Sequence, residues 1–288
     1  MNTMNTKKST ITMIAGLAAC AAATQAELVY GVTDTQTLVS FDSGDSTNIL
    51  SGVAISGLAS NEQVRGIDIR PATGEIFALG SFNNMYTINA STGVASQVGA
   101  GPFAPPTNGS SFGFDFNPTI DRIRVVSDAN QNLVLNPNDG TATMVTDLFF
   151  GAGDVNEGMD PNIVGSAYTN SFFGATSTQL YGIDTGLDVL VTQANSAGTL
   201  MTVGSIGVDL NDTLSFDISG ATGIAYASVV SDDFSSSTFW RIDLMTGEAT
   251  ALGEIGGGSL ITAMTVVPTP GTIALLGMGG LVVSRRRR

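Results

Sequence analysis

Between Glu27 and Val266 the chain is written in short apolar runs broken by polar turns. Leu28-Val29-Tyr30-Gly31, Leu38-Val39-Ser40-Phe41, Ile76-Phe77-Ala78-Leu79 and Met85-Tyr86-Thr87-Ile88 set the pattern. Asp-, Asn-, Thr- and Gly-rich stretches stand between them, as they do between the strands of β-proteins. No helical periodicity is sustained in this region. The pattern predicts an all-β domain over residues 27–266.

Aligning the runs exposes a repeat. One strand type reads Arg65-Gly66-Ile67-Asp68-Ile69-Arg70-Pro71, returns as Phe112-Gly113-Phe114-Asp115-Phe116-Asn117-Pro118, and returns again as Leu214-Ser215-Phe216-Asp217-Ile218-Ser219. Ala167-Tyr168-Thr169-Asn170 occupies the phase between them, and Ala263-Met264-Thr265 comes last. A second type carries Tyr86-Thr87-Ile88-Asn89, Leu133-Val134-Leu135-Asn136, Tyr181-Gly182-Ile183-Asp184 and Arg241-Ile242-Asp243, mostly followed by a tight turn such as those at Gly93, Gly140 and Gly247. Asp68 and Asp115 lie 47 residues apart, as do Gly93 and Gly140. A period of about 40–50 residues with four strands per unit is that of propeller blades. Four full units are present. The N-terminal piece Leu28–Leu58 lacks a first strand, and the last run, Leu260–Val266, lacks the other three. Paired, the two pieces complete a fifth blade and close the ring, which removes the open sheet edges. The predicted fold is a five-bladed β-propeller closed by its terminal strands, with a β-sandwich or an open stack of hairpins as alternatives.

The two ends read differently. Lys7 and Lys8 precede the small-residue apolar stretch Ile11–Ala23, and Thr24-Gln25-Ala26 offers small residues before Glu27. This is the form of a secretory signal over residues 1–26, cut after Ala26 by signal peptidase. Leu17-Ala18-Ala19-Cys20 also matches a lipoprotein box, with Cys20 as the lipidated residue. At the far end, over residues 267–288, Pro268 and Pro270 stiffen the chain, Gly271–Ser284 is uncharged and mostly apolar, and Arg285, Arg286, Arg287 and Arg288 close it. As a helix, residues 270–284 would be about 22 Å long at 1.5 Å per residue, against a hydrocarbon core of about 30 Å. Such a segment suits transient membrane contact, with the arginines kept on the cytoplasmic side.

These C-terminal residues, Val-Pro-Thr-Pro, then Leu275–Leu281, then four arginines, resemble a PEP-CTERM sorting signal, with Thr269 where the motif has glutamate. The resemblance implies retention in the inner membrane, processing by an exosortase-like protease, and display outside a bacterium that makes exopolysaccharide. The middle resembles the family called domain of unknown function 4394. The matching residues are Arg65–Gly74, Ser111–Pro118 with Asp121–Asp128, and Leu180–Gln193. That family brings no established activity.

Composition narrows the chemistry. With Lys7, Lys8 and the terminal arginines set aside, the domain keeps five basic residues, Arg65, Arg70, Arg122, Arg124 and Arg241, against 25 acidic ones. Its balance is about −20, with no histidine and no lysine, and Cys20 is the chain's one cysteine. So few cations exclude nucleic-acid binding and disfavour polyanionic surfaces. Without His or Cys the common nucleophile–base pairs and the usual zinc sites are absent. Stability must come from packing.

Three groups remain as candidates. Asp68, Asp115 and Asp217 share one phase on what should be the innermost strands; the favoured reading is that each caps a neighbouring turn or bonds backbone between blades, and the alternative is that converging carboxylates bind a cation or cleave a glycosidic bond. Asp154, Asn156 and Asp160, in the run Asp154–Asp160, have the oxygen density calcium prefers but only part of an EF-hand pattern, and otherwise make a polar turn. Asp121, Arg122, Arg124 and Asp128 suggest a buried or inter-blade ion-pair network, with ligand contact through a guanidinium fork as the alternative, and Trp240 a core residue. No catalytic residue, cofactor or further metal is expected. The favoured reading is an exported, non-enzymatic surface or matrix protein working with exopolysaccharide or other surface proteins. A carbohydrate-active enzyme with paired aspartates and a calcium-stabilised adhesion module are the alternatives. Intact-mass analysis of the protein recovered outside its native cells should show Glu27 at the N-terminus and loss of the arginine tail; a species retaining Arg285–Arg288 would contradict the processing scheme.

Overall fold

The computed structural model describes residues 26–267. They form a closed ring of five antiparallel sheets. The first blade holds β1 (Leu28–Thr33), β2 (Thr37–Asp42) and β3 (Asp45–Ala54). The second is β4 (Val64–Ile69), β5 (Ile76–Gly80), β6 (Met85–Ile88) and β7 (Ala95–Val98). The third is β8 (Phe112–Asn117), β9 (Arg122–Ser127), β10 (Asn132–Leu135) and β11 (Ala142–Met144). The chain then makes the short β12 (Phe149–Phe150) before the fourth blade, β13 (Ile163–Tyr168), β14 (Leu180–Asp184), β15 (Val189–Gln193) and β16 (Thr199–Ser205). The fifth is β17 (Leu214–Ile218), β18 (Ala225–Val230), β19 (Ser237–Ile242) and β20 (Ala249–Glu254). Last comes β21 (Ile261–Val266), which pairs antiparallel with β1, Val29 opposite Val266, and becomes the inner strand of the first blade. The predicted closure holds.

Each blade is a twisted sheet with apolar side chains on both faces, and each face is buried against the neighbouring blade. The core is therefore divided into five hydrophobic clusters, one in each gap between blades. Between the second and third blades Phe77 meets Phe116 edge-on at 5.2 Å. Between the fifth and first, Phe239 meets Phe41 edge-on at 5.2 Å and stacks on Tyr226 at 5.1 Å. Edge-on and stacked rings are the favourable geometries for such pairs. Glu27, buried just before β1, ties the closure down: its carboxylate accepts from Thr222 Oγ1 and Tyr226 OH, at 3.0 and 3.3 Å, and from the Ser219 hydroxyl. Ala26 beside it is exposed. The first and last described residues leave from one face of the ring, where Val267 N–H donates to Leu28 O at 2.8 Å.

Two readings of the repeat need correction. Tyr181–Asp184 lies on β14, the second strand of its blade, whereas Tyr86, Leu133 and Arg241 lie on third strands. The tight turn Thr185–Gly186 after it has the composition of the outer turns, so turn chemistry alone misplaced it by one strand. The fourth blade also gains a fifth strand, β12, parallel to β16, which two phenylalanines without periodicity did not announce. Among the described residues no helix is long and apolar enough to cross a membrane. The expected apolar segment at 270–284, with Pro268, Pro270, Arg285, Arg286, Arg287 and Arg288, lies outside the described residues, as does the signal before Ala26.

The inner strands approach one another closely, and the sequence supplies small residues there. A Cβ on Gly66 would lie 2.7 Å from Phe114 Cβ, one on Gly113 2.5 Å from Ser166 N, and one on Gly165 2.8 Å from Leu214 Cδ2. Ser215 and Ala263 hold the same place in the other two blades. Because the obstacle at Gly113 is backbone, it cannot rotate away. Gly113→Ala is expected to cost about 1–3 kcal/mol as overpacking, lowering the melting temperature by roughly 2–4 °C per kcal/mol in a domain this size. An unchanged thermal melt would show that the strands have slack there.

Candidate functional site

Two residues beyond each of those small positions, the inner strands carry Asp68, Asp115, Ala167, Asp217 and Thr265. The phase predicted as innermost is so, and the three aspartates converge: each offers a carboxylate oxygen within 4.8 Å of the others, and all three are buried. Their immediate partners are amides of the strands. Asp68 Oδ2 accepts from Phe116 N–H at 2.7 Å, Asp115 Oδ1 from Tyr168 N–H at 3.0 Å, and Asp217 Oδ2 from Val266 N–H at 2.6 Å. In each case the carboxylate of one blade takes the amide that follows the equivalent position in the next blade.

Ala167 and Thr265 have no carboxylate to pass on, and the structure compensates in the same way twice. The aspartate of the following blade turns back to its own next amide, Asp217 Oδ1 to Ile218 N–H at 2.6 Å and Asp68 Oδ1 to Ile69 N–H at 2.7 Å. Thr265 Oγ1 sits between them, 3.0 Å from Asp68 Oδ1 and 3.1 Å from Asp217 Oδ2. A hydroxyl carries one hydrogen, so only one of these contacts can be donated by Thr265. The other is a hydrogen bond if a protonated carboxyl donates to it.

Among the described residues no cation is salt-bridged to this cluster. Burial, reinforced by the charge of Asp217, pushes Asp68 well above the ordinary carboxylate range. Burial and the charges of Asp68 and Asp217 do the same to Asp115. Burial raises Asp217 also, although backbone donors oppose it. The three titrate as one group rather than singly. Chemically the arrangement favours protonated carboxyls bound to backbone amides, and its geometry is that of a structural clasp.

The other candidates are not gathered into a site. Asp154 spends both oxygens on Thr202, Oδ2 accepting from its N–H at 2.6 Å and Oδ1 from its hydroxyl at 2.8 Å. Asn156 donates to the same hydroxyl at 3.0 Å, and Asp160 accepts from Asn130 Nδ2 at 2.7 Å. This loop fastens the flank of β16. The buried or inter-blade ion-pair network expected of Asp121, Arg122, Arg124 and Asp128 reduces to one inter-blade pair among the described residues, Asp121 with Arg70 of the preceding blade. Arg124 is buried against neutral acceptors, its Nη1 2.7 Å from Asn132 Oδ1, and Asp128 Oδ1 accepts from Ser110 N–H at 2.9 Å. Trp240 is half-buried beside the cluster between blades four and five, with its indole N–H sealed and unpartnered.

Above the clasp the channel holds a void of about 10 Å³, lined by Gly66, Gly113, Gly165 and Ser166 among others. Ser166 Oγ is buried there without a hydrogen-bond partner. The void shares Arg65, Phe112 and Leu214 with the wall of a polar cup of about 200 Å³ on the face opposite the chain ends. Asp34, Gln63, Arg65, Phe112 and Asp212 stand in its wall. These residues come from separate loops and strand starts, none with a motif of its own; only the repeat phase, had it been extended one turn upstream of each inner strand, could have grouped them.

A family model described as "Domain of unknown function (DUF4394)" matches residues 37–265. The chain belongs to this family. No curated protein matches it. Among solved structures it is similar to Kuenenia stuttgartiensis hydrazine synthase, at 11% identity and TM-score 0.39, covering 70% of this chain and 52% of that one. The chain thus spans about half the length of that relative. It is also similar to a Lactobacillus plantarum protein, at 16% identity and TM-score 0.37, over 83% and 71% of the two chains. A third is Myxococcus xanthus glutaminyl cyclase, at 11% identity and TM-score 0.43, over 80% and 83%.

The clasp of this DUF4394 domain fixes a pH dependence. Carboxyls raised in the folded state keep protons that the unfolded chain has already released above about pH 4, so their contribution to stability is complete below that pH and falls as pH rises, by about 1.4 kcal/mol per pH unit for each proton held. Asp184, raised by burial, acts in the same direction. Asp115→Asn keeps an acceptor for Tyr168 N–H and adds a donor toward Asp217. Melting temperature between pH 5 and 8 should decline less steeply in Asp115→Asn than in the parent, with the variant the more stable at pH 8. Parallel profiles would remove the clasp from the titration.

Proposed function

We propose that this protein is an exported, non-enzymatic propeller that serves as a binding or structural module at the bacterial surface or in its extracellular matrix. One observation carries the non-catalytic half of the reading: the paired aspartates are sealed under a void of about 10 Å³ and committed to backbone amides. A void that size admits about one water. A glycosidase needs its two carboxyls on either side of a substrate. Export and processing by signal peptidase and an exosortase-like protease follow from the two terminal sequences. The fold is compatible with that route, since both described ends leave one face and the polar cup occupies the other. Calcium is not required by this reading, because Asp154 and Asp160 already have protein donors.

Incubated with extracellular polysaccharide from the producing bacterium, the full chain should co-sediment with the polymer and release no reducing ends above the blank. Reducing-end release that disappears in Asp115→Asn would overturn the reading in favour of an enzyme.

A further inference from the structure

The cup at the channel mouth has a composition that the rest of the domain does not explain. We propose that it binds one ring of an uncharged saccharide, an inference that rests on the non-catalytic binding role above. Arg65 is exposed in the cup wall and has neither a salt bridge nor a hydrogen bond among the described residues. Of the domain's other arginines, Arg70, Arg122 and Arg124 are spent on protein acceptors, and Arg241, also exposed and without a side-chain partner among the described residues, stands beside Ala26 and Tyr226 rather than in the cup.

Facing the same space are two carboxylates in different states. Asp34 has no side-chain partner, whereas Asp212 is held in place by Asn162 Nδ2 at 2.9 Å and Thr185 Oγ1 at 2.5 Å. The Gln63 side chain adds an amide that offers both donors and an acceptor. Each hydroxyl of a sugar donates one hydrogen bond and accepts others, so adjacent hydroxyls need donors and acceptors side by side. A guanidinium fork beside carboxylates and an amide provides them. The partly buried ring of Phe112 supplies an apolar patch for the C–H face of the sugar.

Charge and size narrow the class further. One cation against two carboxylates leaves the cup slightly negative, within a domain of about −20, so an anionic sugar is repelled at both short and long range. A metal cation lacks its ligands there: among the described residues the group of three converging acids is the axial one. About 200 Å³ is below the 300–1,000 Å³ of pockets that enclose drug-sized ligands. One ring fits and a longer chain would project into solvent. Beneath the cup, the unpartnered Ser166 hydroxyl marks a buried group still owed a hydrogen bond, which a sugar hydroxyl can satisfy through one water.

Calorimetric titration of the full chain with cellotriose, maltotriose, mannotriose and trigalacturonate tests this. At least one neutral trisaccharide should bind, trigalacturonate should not, and Arg65→Gln and Asp34→Asn should each weaken binding at least tenfold with an unchanged thermal melt. No binding by any neutral sugar, equal binding by both variants, or a preference for trigalacturonate would overturn the proposal. Cleavage of a bound trisaccharide, lost in Asp115→Asn, would instead defeat the non-catalytic reading and leave the cup standing.

Discussion

An inner propeller strand is a sheet edge, and its free N–H groups point where no further strand can pair with them. Water cannot satisfy them along a crowded axis, and an unpaired buried amide costs about 1–3 kcal/mol. In this protein carboxylates do the pairing, each reaching from one blade to the amide of the next. The same interaction therefore closes the edges and sets the spacing of neighbouring blades. It also explains why the place two residues earlier is kept small, glycine on β4, β8 and β13 and Ser215 and Ala263 on the other two, since the carboxylates can span the gap only if the strands come close.

The arrangement has an electrostatic cost. Three acids share a buried space with no salt-bridged cation among the described residues, so burial and mutual repulsion favour the protonated form at the axis. The domain meets that cost with packing rather than covalent links. Five apolar clusters, each made jointly by two blades, leave no blade able to bury its faces alone, and Glu27 binds the last blade to the first. Carboxylates solve a similar problem at the rim, where Asp154 takes the free amide of Thr202 on the flank of β16. In a domain without histidine or lysine and with only five arginines, aspartate takes the free amides at both axis and rim.

Much of this was legible in the residues. Gly-x-Asp at a spacing of 47 residues marked the inner strands because two steric needs, close approach and an amide partner, recur with the blade. The closure was legible because a three-strand piece and a single strand complement each other. What escaped notice did so for physical reasons. Ala167 and Thr265 break the pattern because neighbouring aspartates cover for them. The fourth blade was misphased because Thr185-Gly186 spells the same pair as the outer turns Thr92-Gly93 and Thr246-Gly247, although the left-handed residue of its turn is Asp188. Asp154–Asp160 is the polar turn its incomplete EF-hand pattern favoured; oxygen density alone left calcium open because it is the same whether the acceptors face a metal or a backbone. The cup left no trace at all, since its residues meet only after the ring closes.

The account stands on protons held at the axis, so the sharpest measurement is infrared spectroscopy of carboxyl groups in the folded protein at neutral pH. A protonated-carboxyl C=O stretch should persist at pH 7, shift in protein labelled with ¹³C-aspartate, and diminish in Asp115→Asn. A spectrum in which every aspartate is ionised at pH 7, in a protein that is fully folded, would contradict the clasp as described.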